Sequence, residues 1–171
     1  MKRVFFLIAC LFWGCGYTTR VFVGSGNIYV KPVVNEIEIT SEERSYSQYT
    51  SFPLFIEKKL TNALVSTFNV RGSYKVTGEA VDSFTLEGRI YDYKKEALRY
   101  SDSDEVVEQR LRLYLHVNLC DRENNVIKAK DIAGETTYFL SGPYAVSESE
   151  AITDLVDDTA RRVVDVVSED W

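Results

Sequence analysis

The chain has 171 residues, of which 45% are hydrophobic, 27% charged and 13% aromatic. That is ordinary globular composition, and it excludes collagen-like repeats, coiled-coil fibres and bulk disorder. Twenty Lys and Arg against 26 Asp and Glu give a formal charge of −6, without the basic excess of a nucleic-acid-binding surface, while one His and three Cys are too few for a zinc site or a disulfide scaffold, so no metal or cofactor is expected.

Residues 1–14 read MKRVFFLIACLFWG: two cations, an apolar run from Val4 to Trp13, then a small residue. This is the pattern of a secretory signal peptide, and the run is about half the ~20 residues a membrane-spanning helix needs. Cys15 follows directly, as in a bacterial lipobox, where the thiol receives a diacylglyceryl group and becomes the mature N-terminus. Leu7-Ile8-Ala9-Cys10 has the more usual spacing, but processing there leaves a very short apolar region. A plain signal peptide with both cysteines as filler is the third option. Cys15 is the expected lipid-attachment site, and tri-acylation would exceed the two-signal threshold for stable anchoring. Removing 14 of 171 residues leaves 157, and loss of Lys2 and Arg3 takes the charge from −6 to −8. Cys120 is then without a disulfide partner and is expected to be buried. Gly16 after the lipid Cys resembles the outer-membrane sorting pattern of bacterial lipoproteins.

Residues 15–26 read as a lipidated tether and 27–171 as a single domain. Asn27–Val34 (NIYVKPVV) is a strand that Pro32 confines to a sheet edge or a strand end. Glu36–Gln48 is a loop. From Ser51, Ile56, Leu60, Ala63, Leu64, Thr67 and Phe68 fall on one helical face, with Pro53 in the first turn, Thr50 or Ser51 as cap and Gly72 as a left-handed stop. Ser73–Val76 is a short extended piece. Ser83–Tyr93 alternates, with Phe84, Leu86, Gly88 and Ile90 on one side. In Val106–Leu119, Leu111, Leu113, Leu115, Val117 and Leu119 oppose Arg110, Arg112, Tyr114, His116 and Asn118. A turn at 121–125 leads to a partner strand over Val126–Leu140. Ser147 and Glu150 form a capping box for a final helix with Ile152, Val156, Thr159, Val163, Val166 and Val167 on its apolar face. The pattern predicts an α+β fold, two helices packed on one face of a mostly antiparallel four-stranded sheet.

His116 is the one near-neutral general-base candidate, but no Gly-x-Ser-x-Gly elbow accompanies it, and a sheet-surface histidine is the simpler reading. Gly24-Ser25-Gly26 lacks the Lys-Ser/Thr of a phosphate loop. Asp102, Asp104 and Glu105 lack EF-hand spacing. The cations pose a more open question. Arg89, Arg110 and Arg112 lie on polar strand faces, Arg122, Lys128 and Lys130 around the last hairpin, and Lys94, Lys95 and Arg99 nearby. Concentrated on one sheet, they could meet an anionic partner; equally, they could pair across strands with Glu87, Glu108 and Glu135. Tyr91, Tyr93, Tyr114 and Tyr138 share these strands, and exposed aromatics are enriched at binding surfaces.

Cys15-Gly16-Tyr17, Ile28-Tyr29-Val30-Lys31-Pro32-Val33-Val34-Asn35, Leu60-Thr61-Asn62-Ala63-Leu64 through Phe68, and Leu86-Glu87-Gly88-Arg89-Ile90-Tyr91-Asp92-Tyr93 follow one another in an order that resembles the LPS-assembly lipoprotein LptE family. The resemblance implies a non-enzymatic lipoprotein of the outer membrane, lipid-anchored and facing the periplasm. It implies a partnership with an LptD-like β-barrel, as plug and assembly factor, and contact with lipopolysaccharide through basic residues. Arg89, Arg110, Arg112, Arg122, Lys128 and Lys130 are the candidate contacts to an anionic glycolipid. An envelope lipoprotein of another secretion or assembly complex, without lipopolysaccharide binding, and an envelope hydrolase using His116 are the rivals.

Overall fold

A computed structural model describes residues 26–37 and 52–169. The signal peptide, both candidate lipid cysteines (Cys10 and Cys15), most of the tether, most of the 36–48 loop and the caps Thr50 and Ser51 lie outside the described residues. In chain order the elements are β1 (Asn27–Val30), β2 (Val34–Asn35), α1 (Ile56–Arg71), β3 (Lys75–Thr77), β4 (Phe84–Tyr100), β5 (Val106–Cys120), β6 (Val126–Phe139) and α2 (Glu148–Ser168).

Among the described residues the fold is α+β with two helices, but the sheet is mixed and six-stranded rather than four-stranded and mostly antiparallel. Its order is β3-β1-β4-β5-β6, with β2 beside β4. Two local causes account for the difference. Pro32 interrupts the first strand, so β1 and β2 pair in turn with different stretches of β4, both parallel to it. The peptide Ser73–Val76 is not a loose extension, because β3 adds to the far side of β1 in parallel. Pro32 thus marks a strand end, and β1 itself is interior to the sheet. From β4 onward the chain is an antiparallel meander.

The clean alternation of β5 is realised: Leu111, Leu113 and Leu115 have no exposed surface and Val117 and Leu119 almost none. Burying each such side chain contributes roughly 1.5–3 kcal/mol, enough to fix the register, since a one-residue slip would turn the whole row outward. β4 behaves differently. Ile90 pairs with Leu115 but Asp92 pairs with Tyr114, so Tyr91 is an extra residue in a bulge. The bulge inverts the phase, bringing Tyr93 and then Lys95 to the helix-covered side. The strand also continues to Tyr100, beyond the expected end at Tyr93, because β5 supplies pairing partners that the charged stretch Lys94–Arg99 does not advertise.

Ile56, Leu60, Leu64 and Phe68 form the buried face of α1. Its first turn begins later than Pro53. Phe55 is the N-cap, in left-handed conformation without a side-chain cap, and its carbonyl accepts from Lys58 N and Lys59 N, both at 3.1 Å. Gly72 is extended (φ −71°), not left-handed. Glycine is required there for space: a Cβ would lie 2.6 Å from the Phe68 carbonyl oxygen. On α2, Ser147 Oγ accepts from Glu150 N at 3.2 Å, one arm of the expected capping box. The buried face includes Ala151, Leu155, Ala160 and Val164 beside most of the expected residues, a stripe wide enough to cover β6 and rest against α1. Phe52 meets Tyr93 edge-on, and Lys95 Nζ donates to Glu148 at 2.8 Å. These contacts place the starts of both helices near the middle of β4, away from the turn of the β4–β5 hairpin.

Candidate functional site

Among the described residues the helices cover one face of the sheet and leave the other open, and the polar residues of β4, β5 and β6 gather on it. Arg89, Arg110 and Arg112 all project there, as expected. Lys128 does not. It pairs in register with buried Leu119, which places it on the helix side, and its Nζ donates to the carbonyls of Val166 (3.0 Å) and Glu169 (2.7 Å). Those are orphan carbonyls at the C-terminus of α2, whose last turn holds no basic residue, and a cation there satisfies hydrogen bonds and opposes the helix dipole. Lys130 stands opposite Val117, and Arg122 lies in the last turn against Asp82 at 3.3 Å. The six candidates thus divide between the open face, the helix edge and a turn.

On the open face the cations are answered by carboxylates of the same chain. Lys31 pairs with Glu87 (2.8 Å), Arg89 with Glu36 (3.6 Å), Lys94 with Asp92 (3.5 Å) and Arg99 with Glu108 (3.2 Å). Arg112 lies between Glu96 (3.3 Å) and Glu135 (3.1 Å). Its guanidinium is held above the usual arginine range first by the Glu135 hydrogen bond, and the Lys31 ammonium is raised likewise by Glu87. Cross-strand pairing therefore describes this surface better than a bare basic patch, although exposed pairs of this kind are worth only about 0–1 kcal/mol each. Arg110 departs from the pattern: its Nε is buried without a hydrogen-bond partner, between Glu96 and Thr137 in the register.

Aromatic rings lie among these charges. Tyr91 stacks on His116 with centroids 4.3 Å apart and an interplanar angle of 24°, and stands 6.0 Å from Tyr114. Lys94 lies over Tyr114 and Arg99 over Phe139, arrangements in which a cation meets the electron-rich ring face. Burial raises the Tyr91 phenol above its ordinary range. His116 Nδ1 is in hydrogen-bond contact with Asp131, and Arg89, His116 and Asp131 form one row across three strands. A pocket of about 450 Å³ opens on this row. Asp131 and Glu36 were not singled out from the sequence. Counting outward from the 121–125 turn through the Cys120–Val126 pair places Lys130 opposite His116, and the register shift between Leu119 and Cys120 brings Asp131 there instead; nothing local marks Glu36, which arrives through the parallel pairing of β2. Cys120 is buried, and burial pushes its thiol pKa up, which makes it a poor nucleophile.

A family model described as LptE, lipopolysaccharide-assembly, matches residues 34–167. Among solved structures, a minor lipoprotein from Acinetobacter baumannii superposes with a TM-score of 0.51 at 14% identity, covering 84% of this chain and 92% of that one. A hypothetical protein from Chlamydia trachomatis superposes with a TM-score of 0.53 at 11% identity, covering 85% of this chain and 96% of that one. At such identities the likeness is one of fold. Comparison with curated protein sequences returns no match.

Proposed function

The chain belongs to the LptE lipopolysaccharide-assembly family, and from that premise we propose that it is an outer-membrane lipoprotein acting as plug and assembly partner of an LptD-like β-barrel. The observation that carries this reading is the extent of the family match, residues 34–167, which takes in all of β4, β5, β6 and α1 and nearly all of α2. The role is non-enzymatic, with the domain held on the periplasmic side of the membrane by lipid on Cys15.

The open sheet face supports this reading in physical terms. A surface inside a water-filled barrel has to be polar, stiff and free of apolar patches that would invite other partners. The ladder of ion pairs on β4, β5 and β6 meets the first condition, and the buried leucine row beneath it meets the second. Arg89, Arg110 and Arg112 are the cations placed to touch anionic glycolipid on this face. Lys128 and Arg122 already serve the domain itself and are removed from that role.

The test is a crosslinked pull-down of the full chain from outer membranes, with mass spectrometry of partners and of the Cys15 peptide. Near one-to-one recovery of a large β-barrel, with acyl mass on Cys15, is the expected result. A soluble, unacylated chain recovered without a barrel overturns the reading. A different envelope assembly recovered in its place would point to the rival lipoprotein role.

A further inference from the structure

Building on the glycolipid reading above, we propose that the pocket between β2, β4, β5 and β6 takes a neutral sugar ring, so that this pocket recognises the saccharide part of its ligand by hydrogen bonding and not its phosphates by charge. The pocket holds about 450 Å³, within the ~300–1,000 Å³ range of small-molecule sites. Glu36, Arg89, His116, Asn118, Lys130 and Asp131 line it. Lys130, opposite buried Val117, reaches the pocket only from the strand edge, so on the open face one cation, Arg89, meets two carboxylates, with no positive excess to attract phosphate.

A phosphate offers acceptors almost exclusively and would lie against Glu36 and Asp131. A sugar hydroxyl both donates and accepts. The carboxylates present acceptors, Arg89 a fork of donors, and Asn118 one group of each kind, the combination that neighbouring hydroxyls require. The groups are also already held. Arg89 is paired with Glu36 at 3.6 Å, and the His116 ring is fixed between its Asp131 contact and the stacked Tyr91. Little side-chain entropy is then lost on binding, which is how a shallow polar site gains affinity. The polar line from Glu36 on the β2 side to Asp131 on β6 crosses about three strand spacings, roughly 14 Å, so a short oligosaccharide lies along it.

The experiment uses the full chain in neutral detergent micelles and follows the ring protons of His116, the single histidine, by NMR. The probes are a neutral oligosaccharide free of phosphate and carboxylate groups, and inorganic phosphate. Saturable millimolar shifts with the oligosaccharide are expected, unchanged between low and high salt because no net charge is exchanged. Glu36→Gln and Asn118→Ala should each weaken binding about tenfold, the equivalent of one lost hydrogen bond. Arg99→Ala, on the distal hairpin, should change nothing, and equal melting temperatures show that the variants remain folded. Saturation by phosphate, loss of oligosaccharide binding in high salt, or no shift with either probe overturns the proposal. Barrel recovery from the same variants separates the two levels: a silent pocket with the barrel retained removes the sugar site alone, and a sugar-binding chain without a barrel removes the transport reading alone.

Discussion

Gly134→Ala tests how closely α2 is seated on the sheet. Gly134 lies in β6 opposite Leu113, and a Cβ built on it would come 1.9 Å from Thr159 Oγ1, 2.8 Å from Thr159 Cβ and 2.9 Å from Thr159 Cα. The last of these is helix backbone, so no side-chain rotation removes the clash; α2 must lift away. That displacement would also pull Asp158 from the Glu135 amide at the β6 edge, now 3.0 Å away. Overpacking a tight contact costs typically 1–3 kcal/mol, and loss of the edge hydrogen bond adds about 1 kcal/mol. The expected destabilisation is therefore about 2–4 kcal/mol, read as a drop of several degrees in melting temperature and a lower urea midpoint at unchanged slope. Thr159→Ala in the same chain removes the hydroxyl but leaves Cβ and Cα, so it should restore only part of the loss. A Gly134→Ala protein within about 0.5 kcal/mol of the parent would refute the close seating of α2, and with it the account of how β6 is held.

Lys128→Met should fray the end of α2, costing about 1 kcal/mol and raising amide hydrogen exchange at Val167 to Glu169 while the sheet keeps its protection. Tyr93→Phe should be neutral or mildly stabilising in thermal melts, because the buried hydroxyl has no hydrogen-bond partner; loss of more than about 1 kcal/mol would show that the hydroxyl is satisfied after all. Asp121 accepts from the Glu123 and Asn125 amides at 2.9 and 2.8 Å, and these bonds, led by that of Asn125, hold its pKa below the ordinary carboxylate value. Its contribution is thus present above about pH 4 and lost as pH falls through the lowered folded value, so Asp121→Asn should flatten that part of the acid limb in a pH series of melts.

What could be read from the sequence depended on whether the cause was local. The β5 leucines and the apolar stripes of both helices follow from side-chain period alone, and each appears where its period places it. The turn at 121–125 marks the β5–β6 hairpin, but the irregularity between Leu119 and Cys120 moves the register by one, so a count from the turn pairs His116 with Lys130 and misses Asp131. The parallel strands left no such trace: β2 and β3 are two and three residues long, and each is a strand only because β4 and β1 offer it an edge. The Tyr91 bulge is equally silent, since nothing in Ile90-Tyr91-Asp92-Tyr93 says which residue steps out of register. Lys128 shows the same limit at the level of the candidate site. Its type and its position near a turn grouped it with the other cations, and only the fold brings it to the end of a helix more than thirty residues away in sequence.

That division bears on how the cations of the open face should be interpreted. A basic residue in a chain of net negative charge suggests an external anion only while its own chain offers no carboxylate within reach. Here register supplies one: Glu135 stands directly across from Arg112, Glu108 across from Arg99, and Glu36 beside Arg89 through β2. An anionic ligand would have to displace these partners, losing on one side roughly what it gained on the other. A hydroxylated ligand can insert between them and hydrogen-bond to both. Arg110, whose Nε has no partner, is the exception, and it is therefore the cation on this face with the most to gain from a phosphate. If charge recognition of the glycolipid occurs on this sheet, it should centre on Arg110, toward the distal hairpin, while the Arg89–His116–Asp131 row contacts the sugars.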